Sequence, residues 1–175
     1  MQLINTIVPL PLSSTLTLAL PVAKRTAATV LSDISSISSD VSTLTNDALA
    51  YTGGLFQSLA LAITVDSLES SITTATSDTT SSTAFTSAES DEILLAITTL
   101  TPNIVTLLAD LDAKASTISS AGYTSTVLSA VKNLLTDTDA LFAAIEAQVD
   151  TTDTASIATL QAEVDAVFAT AIADF

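Results

Sequence analysis

Apolar side chains at Val30, Ile34, Ile37, Val41, Leu44, Ala48 and Tyr51 step by alternating fours and threes, and this spacing constrains the chain more than any other feature. Residues so spaced share one face of an α-helix, whereas in a strand they would scatter over both faces. Asp33, Asp40 and Asp47 fall on the opposite side. The spacing predicts a first helix over about 27–51, ended by Gly53-Gly54.

The same arithmetic recurs along the chain. A second helix is expected over about 55–75, with two stripes: Phe56, Leu59 and Ile63, then Leu61, Val65, Leu68 and Ile72. Two stripes imply neighbours on more than one side. Residues 77–87, rich in Ser and Thr and without periodicity, read as a loop. Thr86-x-x-Glu89 has the form of a capping box and opens a third helix. Its stripe is Ile93, Ile97, Leu100, Ile104, Leu107, Leu111, Ala115 and Ile118. Pro102 removes one hydrogen bond there, yet the apolar phase is unchanged across it. One helix kinked at Pro102 is therefore expected, the alternative being two helices meeting at Thr101. A fourth helix over about 124–149 carries Val127, Val131, Leu134, Thr138, Leu141 and Ile145 in register. A fifth, over about 154–174, follows a turn at 150–153 whose acids supply an N-cap. Short connections favour antiparallel neighbours. The expected fold class is all-α, an up-and-down bundle of about five amphipathic helices, one of them kinked at Pro102.

The N-terminal stretch differs from the rest. Apart from Asn5, residues 3–22 are apolar or hydroxylated, and Thr17-Leu18-Ala19 offers a small-x-small cleavage site after Ala19. Lys24 and Arg25 follow, and they are two of only four cationic residues in the chain. The pattern predicts a signal peptide over 1–19, a short propeptide over 20–25 ending in Lys24-Arg25, and one domain over 26–175. After residue 25, two lysines face 19 acidic residues. Outside the leader no uninterrupted apolar run approaches the ~20 residues of a membrane span, so no transmembrane segment is expected. With no cysteine, the domain must fold on burial alone.

Composition narrows the chemistry. Beyond residue 25 there is no His, Cys, Trp or Arg. The commonest general base, the thiol nucleophile and the usual zinc ligands are thus missing, as is the guanidinium clamp for phosphate. A chain this acidic is a poor partner for nucleic acid. Glu89-Ser-Asp91-Glu92, Asp110-Leu-Asp112 and Asp137-Thr-Asp139 bring carboxylates close, but none has the spacing of a calcium loop. Their place on helix faces and first turns is explained by solubility and the helix dipole. Composition and spacing mark no catalytic residue, no metal site and no cofactor, and a hydrolase built on carboxylates is the one enzymatic alternative left, with no spacing that singles it out. Ser and Thr make up about 30 % of the chain, which in a secreted protein favours O-linked sugar, chiefly on residues 79–87. Aromatic residues are only 4 % of the chain. An interior of Leu, Ile, Val, Ala and Thr fits either a packed core or a dry groove that admits an acyl chain. Periodicity alone leaves both open.

Several segments in order resemble a fungal secreted family, the hydrophobic surface binding protein A family with its antigenic cell-wall galactomannoproteins. They are Lys24-Arg25, Ala27-Ala28-Thr29-Val30-Leu31-x-Asp33-Ile34, Tyr51-Thr52-Gly53-Gly54, and Leu100-Thr101-Pro102-Asn103-Ile104. Leu107-Leu108-x-x-Leu111-x-x-Lys114, Gly122, and Leu134-Leu135-x-x-Thr138-Asp139-x-Leu141 complete the set. The resemblance implies a helical, secreted or wall-associated protein without enzymatic activity. It also implies adsorption to hydrophobic surfaces and binding of long-chain fatty acids inside the bundle. Cell-wall polysaccharide and secreted hydrolases are further candidate partners. On that reading an acyl chain lies along Val41, Leu44, Leu59, Ile63, Ile104, Leu108, Leu134, Leu141, Val164 and Phe168, with Thr138 or Ser129 serving its carboxylate. The alternative is an O-glycosylated structural wall protein without a ligand. For adsorption, the bundle is expected to open at Gly53-Gly54 and at the 77–87 loop, since both lack packing partners in sequence.

Overall fold

The computed structural model describes residues 26–175, and the expectations at Ala19, Lys24 and Arg25 lie outside them. Among the described residues there are six helices: α1 (Ala27–Ala50), α2 (Leu55–Thr80), α3 (Ser87–Asp112), α4 (Ala115–Ser120), α5 (Thr124–Glu146) and α6 (Thr154–Asp174). The five long ones match the five expected stripes. The α1 stripe is buried throughout, from Val30 at 0 % exposure to Tyr51 at 2 %.

The packing order differs from the chain order. α1 packs between α2 and α3, α2 also packs on α5, and α6 packs between α5 and α3. The five helices therefore close a ring in the order α1, α2, α5, α6, α3. Of the three short connections expected to join antiparallel neighbours, those at Gly53-Gly54 and at 150–153 do so, whereas the one at Gly122 does not, since α3 and α5 are not ring neighbours. The two links that join non-neighbours cross the ends of the ring. Residues 81–86 cross one end. There Phe85 is buried and its N–H donates to the Gln148 carbonyl at 2.8 Å. Ser87 Oγ donates to Asp150 Oδ2, and the Asp150 N–H donates to Ser90 Oγ, both at 2.8 Å. α4 crosses the opposite end and buries Ile118.

Several boundaries shift from the sequence expectation. α2 continues to Thr80, because Ala75, Asp78 and Thr79 turn inward and Thr76 and Thr80 return their hydroxyls to carbonyls one turn back. Burial thus overrides the weak helix propensity of this segment. Thr79 is fully buried, so its hydroxyl is closed to sugar in this fold. α3 runs unbroken through Pro102, which excludes two helices meeting at Thr101. It ends at Asp112, and Ile118 belongs to the separate α4. The Thr86–Glu89 box forms as expected, with Thr86 N–H donating to Glu89 Oε2 at 2.8 Å. Asp153 occupies the N-cap position of α6 without a side-chain cap bond, whereas Asp150 organises the turn by accepting from Thr152 N–H at 3.0 Å.

The Gly53-Gly54 bend is tied down, against expectation. Gly53 has φ +98°, which a side chain would resist. Gln57 Oε1 accepts from the N–H groups of Thr52 and Gly54, and Gln57 Nε2 donates to the Ala50 carbonyl. From the end of α3, Lys114 Nζ donates to the carbonyls of Leu49 at 2.7 Å and Tyr51 at 3.2 Å. α3 and α6 are, by length and composition, long and apolar enough to cross a membrane. Here their stripes pack inside the ring.

Acidic groups meet where helices touch. Burial, then Asp174 across the α3–α6 contact, raises the carboxyl of Asp112. Burial, then a hydrogen bond with Asp139 of α5, raises Asp165 on α6. Burial also raises Asp137 and Glu69. Backbone bonds from Thr86 and Thr152 lower Glu89 and Asp150. A raised carboxyl binds more protons folded than unfolded between its ordinary value and its raised one, so stability falls as pH rises through that window. The lowered pair acts in the opposite sense, losing its contribution only below the ordinary range. The melting temperature is therefore expected to be higher at about pH 5 than at about pH 7.5, and calorimetry across that range checks this.

Candidate functional site

The interior holds three apolar spaces that share walls. The first, of about 30 Å³, lies on the ring axis and is lined from all five long helices, including Ile37 and Val41, Leu68 and Ile72, Ile97 and Ile104, Leu134 and Phe142, and Phe168. Only Thr101 and Thr138 add hydroxyls to its lining, and Thr101 Oγ1 is spent on the Ile97 carbonyl at 3.0 Å. The second, of about 60 Å³, lies towards α4 and is entirely apolar. Leu107, Leu108 and Leu134 separate the two, since each lines both.

The third space is a cleft of about 260 Å³ between α2 and α5, with Tyr51, Ile118 and Tyr123 at its α4 end. Leu61, Val65, Ile118, Val127 and Ala130 line both this cleft and the second cavity. The three spaces thus lie in series from the axis to the surface, divided by these shared side chains. Along α5 the series runs from about Val127 to Phe142, a rise of about 22 Å at 1.5 Å per residue, comparable with an extended palmitoyl chain. Its open end is polar. Tyr51 Oη and Ser58 Oγ lie 2.9 Å apart, and Thr126, Ser129 and Asn133 come from α5. Asp66 and Glu69 supply the charge about 12–16 Å further along α2. Glu69 is raised by burial, then by Asp137 and Asp66, and held down by a hydrogen bond from Asn133.

The residues expected along an acyl chain divide into four groups. Val41, Ile104, Leu108, Leu134, Thr138, Leu141 and Phe168 line the axial cavity. Leu44 lines the second cavity, and Val164 is buried in the core without facing either. Leu59 and Ile63 are a correction: they are 58 % and 62 % exposed on the outer side of α2. That stripe has no helix over it, because α2 has only α1 and α5 as ring neighbours. Of the two hydroxyls considered for a carboxylate, Ser129 lies in the cleft and Thr138 deep on the axis, so they cannot serve the same head group. The sequence gives no periodic signal for Tyr123, Asp66, Glu69 or Asn133, which meet only because α2 packs on α5. Among the described residues no group of His, Cys, Asp and Glu is arranged to hold a metal ion.

A helical ring with an apolar interior path and a polar mouth defines a class of small proteins built around a hydrophobic interior. A family model described as hydrophobic surface binding protein A matches residues 27–147, and the chain belongs to that family. The crystal structure of AfMP4p in complex with palmitic acid is 40 % identical, with a TM-score of 0.84 over 85 % of this chain and 99 % of that one. Ligand binding domain 1 of the Penicillium marneffei MP1 protein, complexed with arachidonic acids, is 17 % identical, with a TM-score of 0.80 over 85 % of this chain and 98 % of that one. Domain 2 of the same protein, complexed with multiple arachidonic acids, is also 17 % identical, with a TM-score of 0.80 over 87 % and 97 %. These two share the fold. No curated protein matches the chain.

Leu134 stands at the wall between the two inner cavities and is 5 % exposed. Leu134→Ala is expected to merge them and to cost about 2–5 kcal/mol of stability, the usual range for a Leu truncated in a core. Urea denaturation checks this.

Proposed function

We propose that this chain is a secreted, non-enzymatic protein that binds single-chain amphiphiles, fatty acids among them, along the interior of its helical ring. The serial arrangement of cleft and cavities, each divided from the next only by side chains that line both, carries the reading, and the AfMP4p complex with palmitic acid supports it. The inner cavities of about 30 and 60 Å³ are too small for an acyl chain as they stand. Loading therefore requires Leu107, Leu108 and Leu134 to swing aside and α2 to part from α5. The three side chains that must move are leucines, which have alternative staggered rotamers, and each buried methylene of the ligand contributes about 0.8 kcal/mol. Ala130, in the wall shared by the cleft and the second cavity, tests the path. Ala130→Trp is expected to weaken palmitate binding at least about tenfold in calorimetric titration while leaving helicity unchanged. A protein that carries no lipid on extraction and takes up none returns the chain to the alternative, a structural wall protein with a filled core.

Adsorption to apolar surfaces is a second activity, favoured by a separate observation. Leu55, Phe56, Leu59 and Ile63 form an exposed ridge on α2, with Phe56 at 86 % exposure. With this ridge already outside, adsorption needs no opening at the tied Gly53-Gly54 bend. Replacing Phe56, Leu59 and Ile63 by Ser is expected to reduce depletion by polystyrene beads several-fold and to leave palmitate binding in place. Depletion by the unaltered protein should rise with salt, as repulsion among its acidic molecules is screened.

Secretion rests on the leader and on the cap of the first helix. Thr26 is the N-cap of α1, and its Oγ1 accepts from the Thr29 N–H at 3.4 Å. Cleavage after Arg25 thus leaves the domain 26–175 with its first cap intact. N-terminal sequencing of the secreted protein should begin at Thr26, and a start at Met1 in a cytosolic fraction would refute it. O-linked sugar, if carried near the 81–86 crossing, falls on its exposed hydroxyls and not on Thr79.

A further inference from the structure

We infer that the cleft between α2 and α5 selects amphiphiles whose head group is cationic or neutral over those with an ionised carboxylate. The inference rests on the amphiphile-binding reading and concerns the end of the path at which the head group is left. The cleft is a formed cavity of about 260 Å³ divided from the apolar interior by Leu61, Val65, Val127 and Ala130, which line both sides. A tail directed past that layer leaves its head beside Asp66, Glu69 and Asn133, about 12–16 Å along α2 from the Tyr51–Ser58 pair.

The charges facing that head group come from two helices and have one sign. α2 contributes Asp66 and Glu69 to the lining, and Asp137 of α5 lies close enough to act on Glu69. α4 adds Ile118, and Tyr51 and Tyr123 at the ends of the neighbouring elements add phenols. No cation lines the cleft. Lys114 is committed to the carbonyls of Leu49 and Tyr51, and Lys132 sits on the exposed side of α5. The neutral polar groups suit a donor. Tyr51, only 2 % exposed, already shares its hydroxyl with Ser58, and Ser129 Oγ donates to the Ser125 carbonyl, leaving lone pairs free to accept. An alkylammonium would meet acceptors and carboxylates. A carboxylate would meet like charges in a half-enclosed site where water screens them less than at a flat surface. The chemical class this favours is a long-chain amine or alcohol, with fatty acids entering best in protonated form.

The test is titration of the delipidated 26–175 protein with dodecylammonium, dodecanol and dodecanoate, each below its micelle concentration, at about pH 7.5 and in moderate salt. Dodecylammonium is expected to bind at least about tenfold more tightly than dodecanoate, with dodecanol between. In the double variant Asp66→Asn/Glu69→Gln that ratio should fall at least about threefold. Asp91→Asn/Glu92→Gln removes two exposed acids from α3 and controls for overall charge, so its ratio should match the unaltered protein. Dodecanoate binding as well as or better than dodecylammonium overturns the inference, as does an equal change in both variants. Failure of all three ligands to bind overturns the amphiphile-binding reading itself, which is a distinguishable result.

Discussion

Closing five helices into a ring fixes the distance from each helix to the centre, and the interior follows from that distance. Packed helices lie 8–10 Å apart. At that spacing the centre of a regular five-membered ring is about 7–8.5 Å from every axis, against about 6–7 Å in a four-helix arrangement. A stripe of Leu, Ile and Val reaches across the shorter gap more completely than across the longer one. The cavities beside Val41, Leu108 and Leu134 are what remains. The crossings seal both ends, with Phe85 buried under one and Ile118 under the other. The remaining way in is lateral, and the cleft lies between α2 and α5.

The surface solves a different problem with few charges. Serine and threonine hydroxyls along the helices mostly donate to the carbonyl one turn back, as at Ser36, Thr43, Thr98, Thr136 and Thr170. Such bonds satisfy the hydroxyl without a partner helix, and they leave the outer faces polar but unlinked. Helix pairing outside the core then falls to a few acids. Asp40 Oδ2 accepts from Ser71 at 2.6 Å, and Asp47 Oδ2 accepts from Thr64 at 2.7 Å, both between α1 and α2. With so few cations available, hydroxyls take the place of salt-bridge partners. The acids that meet other acids instead, as Asp112 meets Asp174, hold their protons more tightly.

The parts of the fold that depend on one helix at a time were legible in the sequence. The stripe from Val30 to Tyr51 gave the buried face of α1, and Thr86 with Glu89 gave the start of α3. Periodicity names a face and not the partner that covers it, so the insertion of α1 between α2 and α3 carried no local signal. The same limit explains Leu59 and Ile63. Their spacing is as regular as that of Leu61, Val65 and Leu68, but a ring helix has two neighbours, and only one of the two stripes could be enclosed. The axial half of the site was readable because it coincides with the core stripe. The cleft was not, because Tyr51, Asp66 and Asn133 come together only through the α2–α5 contact.

Both apolar features that distinguish this molecule from a plain bundle therefore reside in the first half of one helix. Leu61 and Val65 face the cleft, whereas Phe56, Leu59 and Ile63 face solvent one helical side away. A helix enclosed on both sides would lose the outer ridge, and one packed more fully on α5 would lose the cleft. The burial pattern along α2 shows how the two coexist. Leu68, Ile72, Ala75 and Thr79 in its second half are buried, and Phe85 seals that end of the ring. Its first half rests on the core through the half-buried Leu61 and Val65, with hydrogen bonds tying Gln57, Ser58 and Thr64 to Ala50, Tyr51 and Asp47. Hydrogen bonds at the surface resist separation less than core burial does, since water replaces them at a net cost of about 1 kcal/mol each. The half of α2 that borders most of the cleft is thus the half least buried in the ring, which is where a cleft that must widen to admit a ligand has to give.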